Sequence, residues 1–160
     1  MKELIHIAQL GLNAVLVLNV LWFGAGAIYF GVTAAAATKL LVPRHARHSP
    51  LLKTVSASIR FLGGMNLAFA VLSGAMLFNP ALFHEDKQVA VLTSVLALAH
   101  GTQFAANVPV ALEGHDRGDA SWPVLSGLMF FIFCMDFTLM LANGMVAVHH
   151  HVLAQFEFAS

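Results

Sequence analysis

A chain of 160 residues has room for a single domain. It is 59% hydrophobic and 10% charged, against roughly 45–50% and about 25% in soluble domains, which excludes water as the solvent of most of its surface. Eight basic residues balance eight acidic ones, leaving no net field to draw in nucleic acid. The lone cysteine, Cys134, excludes an intrachain disulfide and any site built from several thiolates.

The expected fold is all-α, an integral membrane up-down four-helix bundle filling residues 1–160. A spanning helix needs about 20 mainly apolar residues, and four segments qualify. The first covers residues 10–37 and is too long for the apolar part of a cleaved signal peptide, so it reads as a retained helix. The second, 55–78, stops at the turn signal Asn79-Pro80. The third covers 89–111. The fourth, 123–148, is opened by Ser121-Trp122-Pro123, with Ser121 as N-cap and Pro123 in the first turn. The two short connections, 79–88 and 112–120, predict antiparallel neighbours.

Basic residues set the expected orientation. The first connection carries Lys39, Arg44, Arg47 and Lys53, with Arg60 just inside the second helix and Arg117 in the third connection. The opposite side has only Lys2 and Lys87. The positive-inside rule then puts the first connection in the cytoplasm and both termini outside a cell (inner) membrane. Small residues four apart, Gly64/Ala68, Ala70/Gly74 and Ala27/Gly31, predict close helix contacts.

Polar side chains in lipid need partners, so their depth carries information. Thr93, His100, Gln103 and Asn107 share one face of the third helix, and Asp136 and Asn143 share one face of the fourth beside Met129, Phe133 and Met140. Antiparallel packing brings His100 and Asp136 to the same depth near the midplane. The expected layers are Ser73/Thr93/Asn143, Asn66/His100/Asp136 and Tyr29/Arg60/Asn107, about 10 Å apart. Helix one adds Asn19, Trp22, Gly26, Tyr29 and Thr33 on one side. Asn19, Asn66, Asn143 and Thr93 read as interhelical hydrogen bonds. His100 and Asp136 are the candidates for chemistry, His100 as acid–base and Asp136 fixing its tautomer. Trp22, Tyr29, Arg60, Asn66, Gln103 and Asn107 are the candidate ligand-binding residues, with Trp22 and Tyr29 lining an apolar pocket.

The expected outer face gathers His6, His84, His149, His150 and His151 near Glu85 and Asp86. This composition suits zinc or copper, although three consecutive histidines on a helix point in different directions, and interfacial solvation is the plainer reading. His45 and His48 fall among Arg44 and Arg47 as headgroup contacts. No GxSxG, HExxH, phosphate loop or CxxC is present. Only His100 lies deep in a helix, which disfavours bis-histidine haem; a His–Met haem through Met65, Met129, Met135 or Met140 stays open.

The run Leu41-Val42-Pro43, then Arg60-Phe61-Leu62-Gly63-Gly64 and an apolar stretch to Asn79-Pro80, resembles the DoxX-like group of small four-helix membrane proteins across residues 20–115. The scaffold proteins of ergosterol synthesis share the layout. The resemblance implies an accessory or assembly role and supplies no catalytic residue. The leading expectation is therefore a non-catalytic subunit of a larger membrane complex or homo-oligomer, surrounded by membrane lipids. The alternatives are a lipid, sterol or quinone site inside the bundle, and a metal or haem protein. No cofactor is specified.

Overall fold

The computed structural model describes residues 2–117 and 122–158, with side chains described for 8–113 and 122–156. Ser121, the expected cap, lies outside the described residues, as do the side chains of Lys2, His6 and Arg117. The described chain is helical: α1 (Lys2–Gly26), a π-helical turn (Ala27–Val32), α2 (Ala34–Leu41), α3 (Leu51–Phe78), α4 (Asp86–Arg117) and α5 (Gly127–Phe158), with 3₁₀ turns at Arg44–His48 and Pro80–Leu82. Four stretches are long and apolar enough to cross a membrane: Ala8–Val32, Leu51–Phe78, Asp86–Glu113 and Gly127–Phe156.

Local chemistry explains the boundaries. Ser49 Oγ accepts the Leu51 N–H at 3.3 Å and Pro50 precedes the first turn of α3, where a missing N–H is harmless. Pro80 cannot extend α3, which ends at Asn79. Asp86 opens α4, complementing the positive helix end. The last helix begins later than Pro123: residues 123–126 form a turn, and Gly127, at φ 56°, opens α5 in a conformation that favours glycine.

The first expected span is not a uniform α-helix. Toward its C-terminal end the backbone widens into the π turn, and Thr33 closes it, its N–H donating to Ile28 O at 3.0 Å and its hydroxyl to Tyr29 O at 2.8 Å. This turn carries Gly31 against Gly63 of α3. A methyl on Gly63 would lie 2.3 Å from the Gly31 nitrogen, so only glycine permits the approach. The expected Gly64/Ala68 contact is displaced by one residue: both are exposed, and Gly63 faces inward. Of the other expected pairs, Gly31 packs on Gly63 and Gly74 faces Val20.

Contact order gives the helix directions. Residues 20, 26 and 31 meet 74, 66 and 63, so α1 with its extension runs antiparallel to α3. Residues 19 and 22 meet 143 and 136, and 100 and 104 meet 136 and 133, so α5 opposes both α1 and α4. The α4–α5 seam is tight: Phe104 stacks on Phe133 and leans on Phe137, and Gly101 faces Met140. By contrast α3 and α4, despite their short connection, are bridged by side chains rather than by close backbones. Met76 and Phe69 of α3 meet Val89, Leu96 and Ala99 of α4 in a core that also takes Leu12, Leu16 and Phe23 of α1. These bulky groups hold the two helices apart.

Gly63→Ala should destabilise the protein in detergent by roughly 1–3 kcal/mol, as overpacking does. Gly64→Ala, whose methyl meets nothing within 4 Å, should be neutral. Thermal unfolding followed by circular dichroism separates the two, and equal melting curves would remove the Gly31–Gly63 contact from the account.

Candidate functional site

At the centre of the helices Asn19, His100, Asp136 and Asn143 are each 0% exposed and joined in one hydrogen-bonded chain. Its polarity can be read from one end. Asn143 Nδ2 donates to the Leu139 carbonyl at 2.8 Å, and a carbonyl can only accept. The other amide atom of Asn143 is therefore Oδ1, which accepts from Asn19 Nδ2 at 2.8 Å. Asn19 Oδ1 is then the atom that faces Asn143 Nδ2 at 3.1 Å and His100 Nε2 at 2.9 Å. An acceptor there requires a proton on Nε2.

The other ring nitrogen, Nδ1, lies 3.1 Å from Asp136 Oδ1, which also accepts the Trp22 indole N–H at 3.1 Å. One proton lies on the Nδ1–Oδ1 line. The pair is either imidazolium with carboxylate or neutral imidazole with carboxylic acid, and both sum to zero charge. Asn19 on α1 thus fixes a proton on Nε2, while Asp136, the residue expected to orient the ring, meets Nδ1. Phe23 stacks on the imidazole at 4.4 Å between ring centres. With both nitrogens engaged, His100 has no lone pair free for iron in this arrangement.

The expected layers give way to an oblique network. Thr93 and Ser73 return their hydroxyls to their own helices, at Val89 O and Phe69 O, while Asn143 pairs with Asn19 instead. Asn66 donates to Leu62 O at 2.9 Å and packs against Gly26, away from His100. Asn107 accepts the Trp122 indole N–H at 3.0 Å, and Arg60 is exposed.

Beside the network lies a cavity of about 460 Å³, lined mainly by apolar groups of α1, the π turn and α5, with the amides of Asn66 and Gln103 at its back. Of the expected ligand residues, Trp22, Tyr29, Asn66 and Gln103 line it; Arg60 and Asn107 do not. Asn66 and Gln103 also wall a second cavity of about 240 Å³ between α3 and α4. His100 and Asp136 line neither. Trp22 is the connection: its N–H points into the network, and its ring, set edge-on to Phe131 at 5.6 Å, forms cavity wall.

No protein family, curated protein or solved structure matches this chain.

Among the described residues no three His, Cys, Asp or Glu side chains come together as ligands, and the side chain of His6 lies outside them. His150 turns inward, its Nδ1 2.5 Å from Asp86 Oδ1. His149 and His151 are exposed, and His84 Nδ1 lies 3.1 Å from Ala81 O. The 100° step between helical residues separates the three consecutive rings. Signals missed from sequence were Asn19 as partner of His100 and Trp22 as partner of Asp136. Both sit on the polar side of helix one, which was the available signal, but the pairing itself depends on the rotation of that helix.

Removing one member of the His100–Asp136 pair strands the other. Asp136→Ala should cost about 3–5 kcal/mol in detergent unfolding, as for a broken buried pair. His100→Leu combined with Asp136→Leu should cost much less than the sum of the single changes. Strict additivity in that double-mutant cycle would deny the coupling.

Proposed function

We propose that this chain is a multi-pass membrane protein, an up-down bundle of four helices, whose lateral cavity binds a small lipid-soluble molecule. The ligand carries a ring and a carbonyl or hydroxyl, as quinones and sterols do. One observation carries the reading: within the apolar cavity, Asn66 Oδ1 and the whole side-chain amide of Gln103 take no hydrogen-bond partner among the described residues. At membrane depth an unpartnered amide costs free energy, and a ligand oxygen can meet it. The cavity's size lies within the usual range for such ligands, about 300–1,000 Å³, and Trp22, Tyr29 and Phe131 supply ring faces.

The lining favours binding over turnover. Apart from the Tyr29 phenol it holds no acid, base or thiol, and the His100–Asp136 pair acts through Trp22 by fixing the indole. A purely accessory role in a larger complex calls for a face reserved for protein. Exposed Leu, Val and Phe are instead spread over all four long helices, as lipid demands, so the cavity is the more specific feature. The DoxX-like resemblance bears on the order of elements and leaves this choice open.

Binding is measurable through Trp22. In a Trp122→Phe background, reconstituted protein titrated with a short-chain quinone should lose tryptophan emission, and a sterol should compete. Asn66→Leu with Gln103→Leu should weaken binding about tenfold, the worth of one or two net hydrogen bonds. Quenching that is indifferent to these substitutions would place the quinone in bulk lipid and dismiss the site.

The basic residues propose an orientation as well. Lys39, Arg44, Arg47, Lys53 and Arg60 all belong to the end that carries the α2–α3 connection, which the positive-inside rule assigns to the cytoplasm. A reporter active only in the cytoplasm should stay silent when fused after Ser160; a strong signal would invert the topology.

A further inference from the structure

At the basic end, α2 folds back along α3, and Ala34 and Ala37 of α2 bury against Ile59 of α3. Beside this seam lies a crevice of about 310 Å³. Its polar walls are Thr38 and Lys39 from α2 and Lys53, Ser56 and Arg60 from α3. The α3 residues follow the i, i+3, i+7 spacing of one helix face, so the three cations converge from two helices. None of them forms an ion pair among the described residues, and the Ser56 hydroxyl has no partner there. Three uncompensated positive charges around a concave pocket with a free hydroxyl suit a phosphate-bearing anion.

Depth selects the source of that phosphate. Arg60 lies nine residues into α3, about 13 Å along its axis. The 28 residues of α3 make a helix about 42 Å long, against a hydrocarbon core of about 30 Å. Arg60 therefore sits below the headgroup level, with Lys39 and Lys53 above it. Its neighbour Phe61 is 78% exposed and Leu51 is 68% exposed, apolar surface suited to acyl chains. We infer that this crevice is a binding site for the headgroup of an anionic phospholipid, its phosphate held by Lys39, Lys53 and Arg60. The inference rests on the proposed membrane insertion but is independent of the cavity at Trp22.

The test uses the full-length protein in nanodiscs of phosphatidylcholine mixed with phosphatidylglycerol or cardiolipin, released into native mass spectrometry. Wild type should retain the anionic lipid in preference to phosphatidylcholine. Lys39→Gln, Lys53→Gln and Arg60→Gln together should lower that preference by roughly a hundredfold, at about a tenfold-or-less contribution per charge near the surface, while Arg44→Gln, outside the crevice, changes it little. Should the triple variant fail to fold, Lys39→Gln with Lys53→Gln, both exposed, provides the same comparison with a smaller loss. Equal losses from Arg44→Gln and from the crevice changes would reduce the effect to general surface charge and overturn the site. Displacement of the lipid by inorganic phosphate, with phosphate alone retained in detergent, would assign the crevice to a soluble anion and overturn the lipid. Protein that enters nanodiscs but shows no lipid preference rejects the inference alone; protein that does not enter the bilayer rejects the membrane reading on which it rests.

Discussion

The centre of the molecule depends on a single backbone carbonyl. Leu139 O can only accept, and from that fact the donor and acceptor sense passes through Asn143 and Asn19 to His100, Asp136 and Trp22. Three helices contribute: α1 gives Asn19 and Trp22, α4 gives His100, α5 gives Asp136 and Asn143. A slip of one residue in any of them would set acceptor against acceptor somewhere along the chain. With Asn19, His100, Asp136 and Asn143 0% exposed, such a mismatch is costly. The network thus specifies helix register, for which the apolar packing between Leu, Val and Ala faces provides little discrimination.

Zero net charge makes this tolerable. A buried ion pair loses hydration on both partners, and its stability depends on geometry and on further hydrogen bonds. Here both imidazole nitrogens are engaged, and one oxygen of Asp136 meets both the imidazole and the Trp22 indole N–H. The exception is Asp136 Oδ2, buried without a partner among the described residues. The side chain is held from one edge only, and that edge is the one shared with Trp22. In the proposed binding reading, what the network positions is therefore the Trp22 indole, which lines the cavity.

Sequence revealed the parts of this governed by depth and period. The heptad-like spacing on the third helix and the i, i+7 pair on the fourth place His100 beside Asp136 whatever the details of loops. It did not reveal which face of helix one meets them, because Asn19 and Trp22 share a polar side with Gly26 and Tyr29, and rotation chooses among these. Nor was the π turn legible: Ala-Ile-Tyr-Phe-Gly-Val suits an α-helix equally well, and the widening appears only with Gly63 pressed against it. The Gly64/Ala68 expectation failed for a related reason. A four-residue spacing of small residues identifies a smooth face but not its occupant, and here the adjacent Gly63 takes the contact. Arg60 was read with the wrong companions: it shares a crevice with Lys39 and Lys53, which come from segments read as connection.

The polar groups inside the long apolar helices divide into two sets by how completely they are satisfied. Asn19, His100 and Asn143 use their donors and acceptors within the protein, and none of them lines a cavity. Asn66 Oδ1 and Gln103 keep theirs, and both line two cavities. If all these side chains served only to join helices, the unsatisfied ones would be expected in the tight seams, where a partner is close. They lie instead on α3 and α4, whose backbones do not pack closely against each other. Gly26 sharpens the point: an added methyl would sit 3.0 Å from the Asn66 amide, so the π turn begins where α1 yields room to that side chain. The separation of α3 from α4 opens the second cavity, the missing side chain at Gly26 admits the Asn66 amide, and the open amides of Asn66 and Gln103 face both cavities, which supports the proposed binding reading.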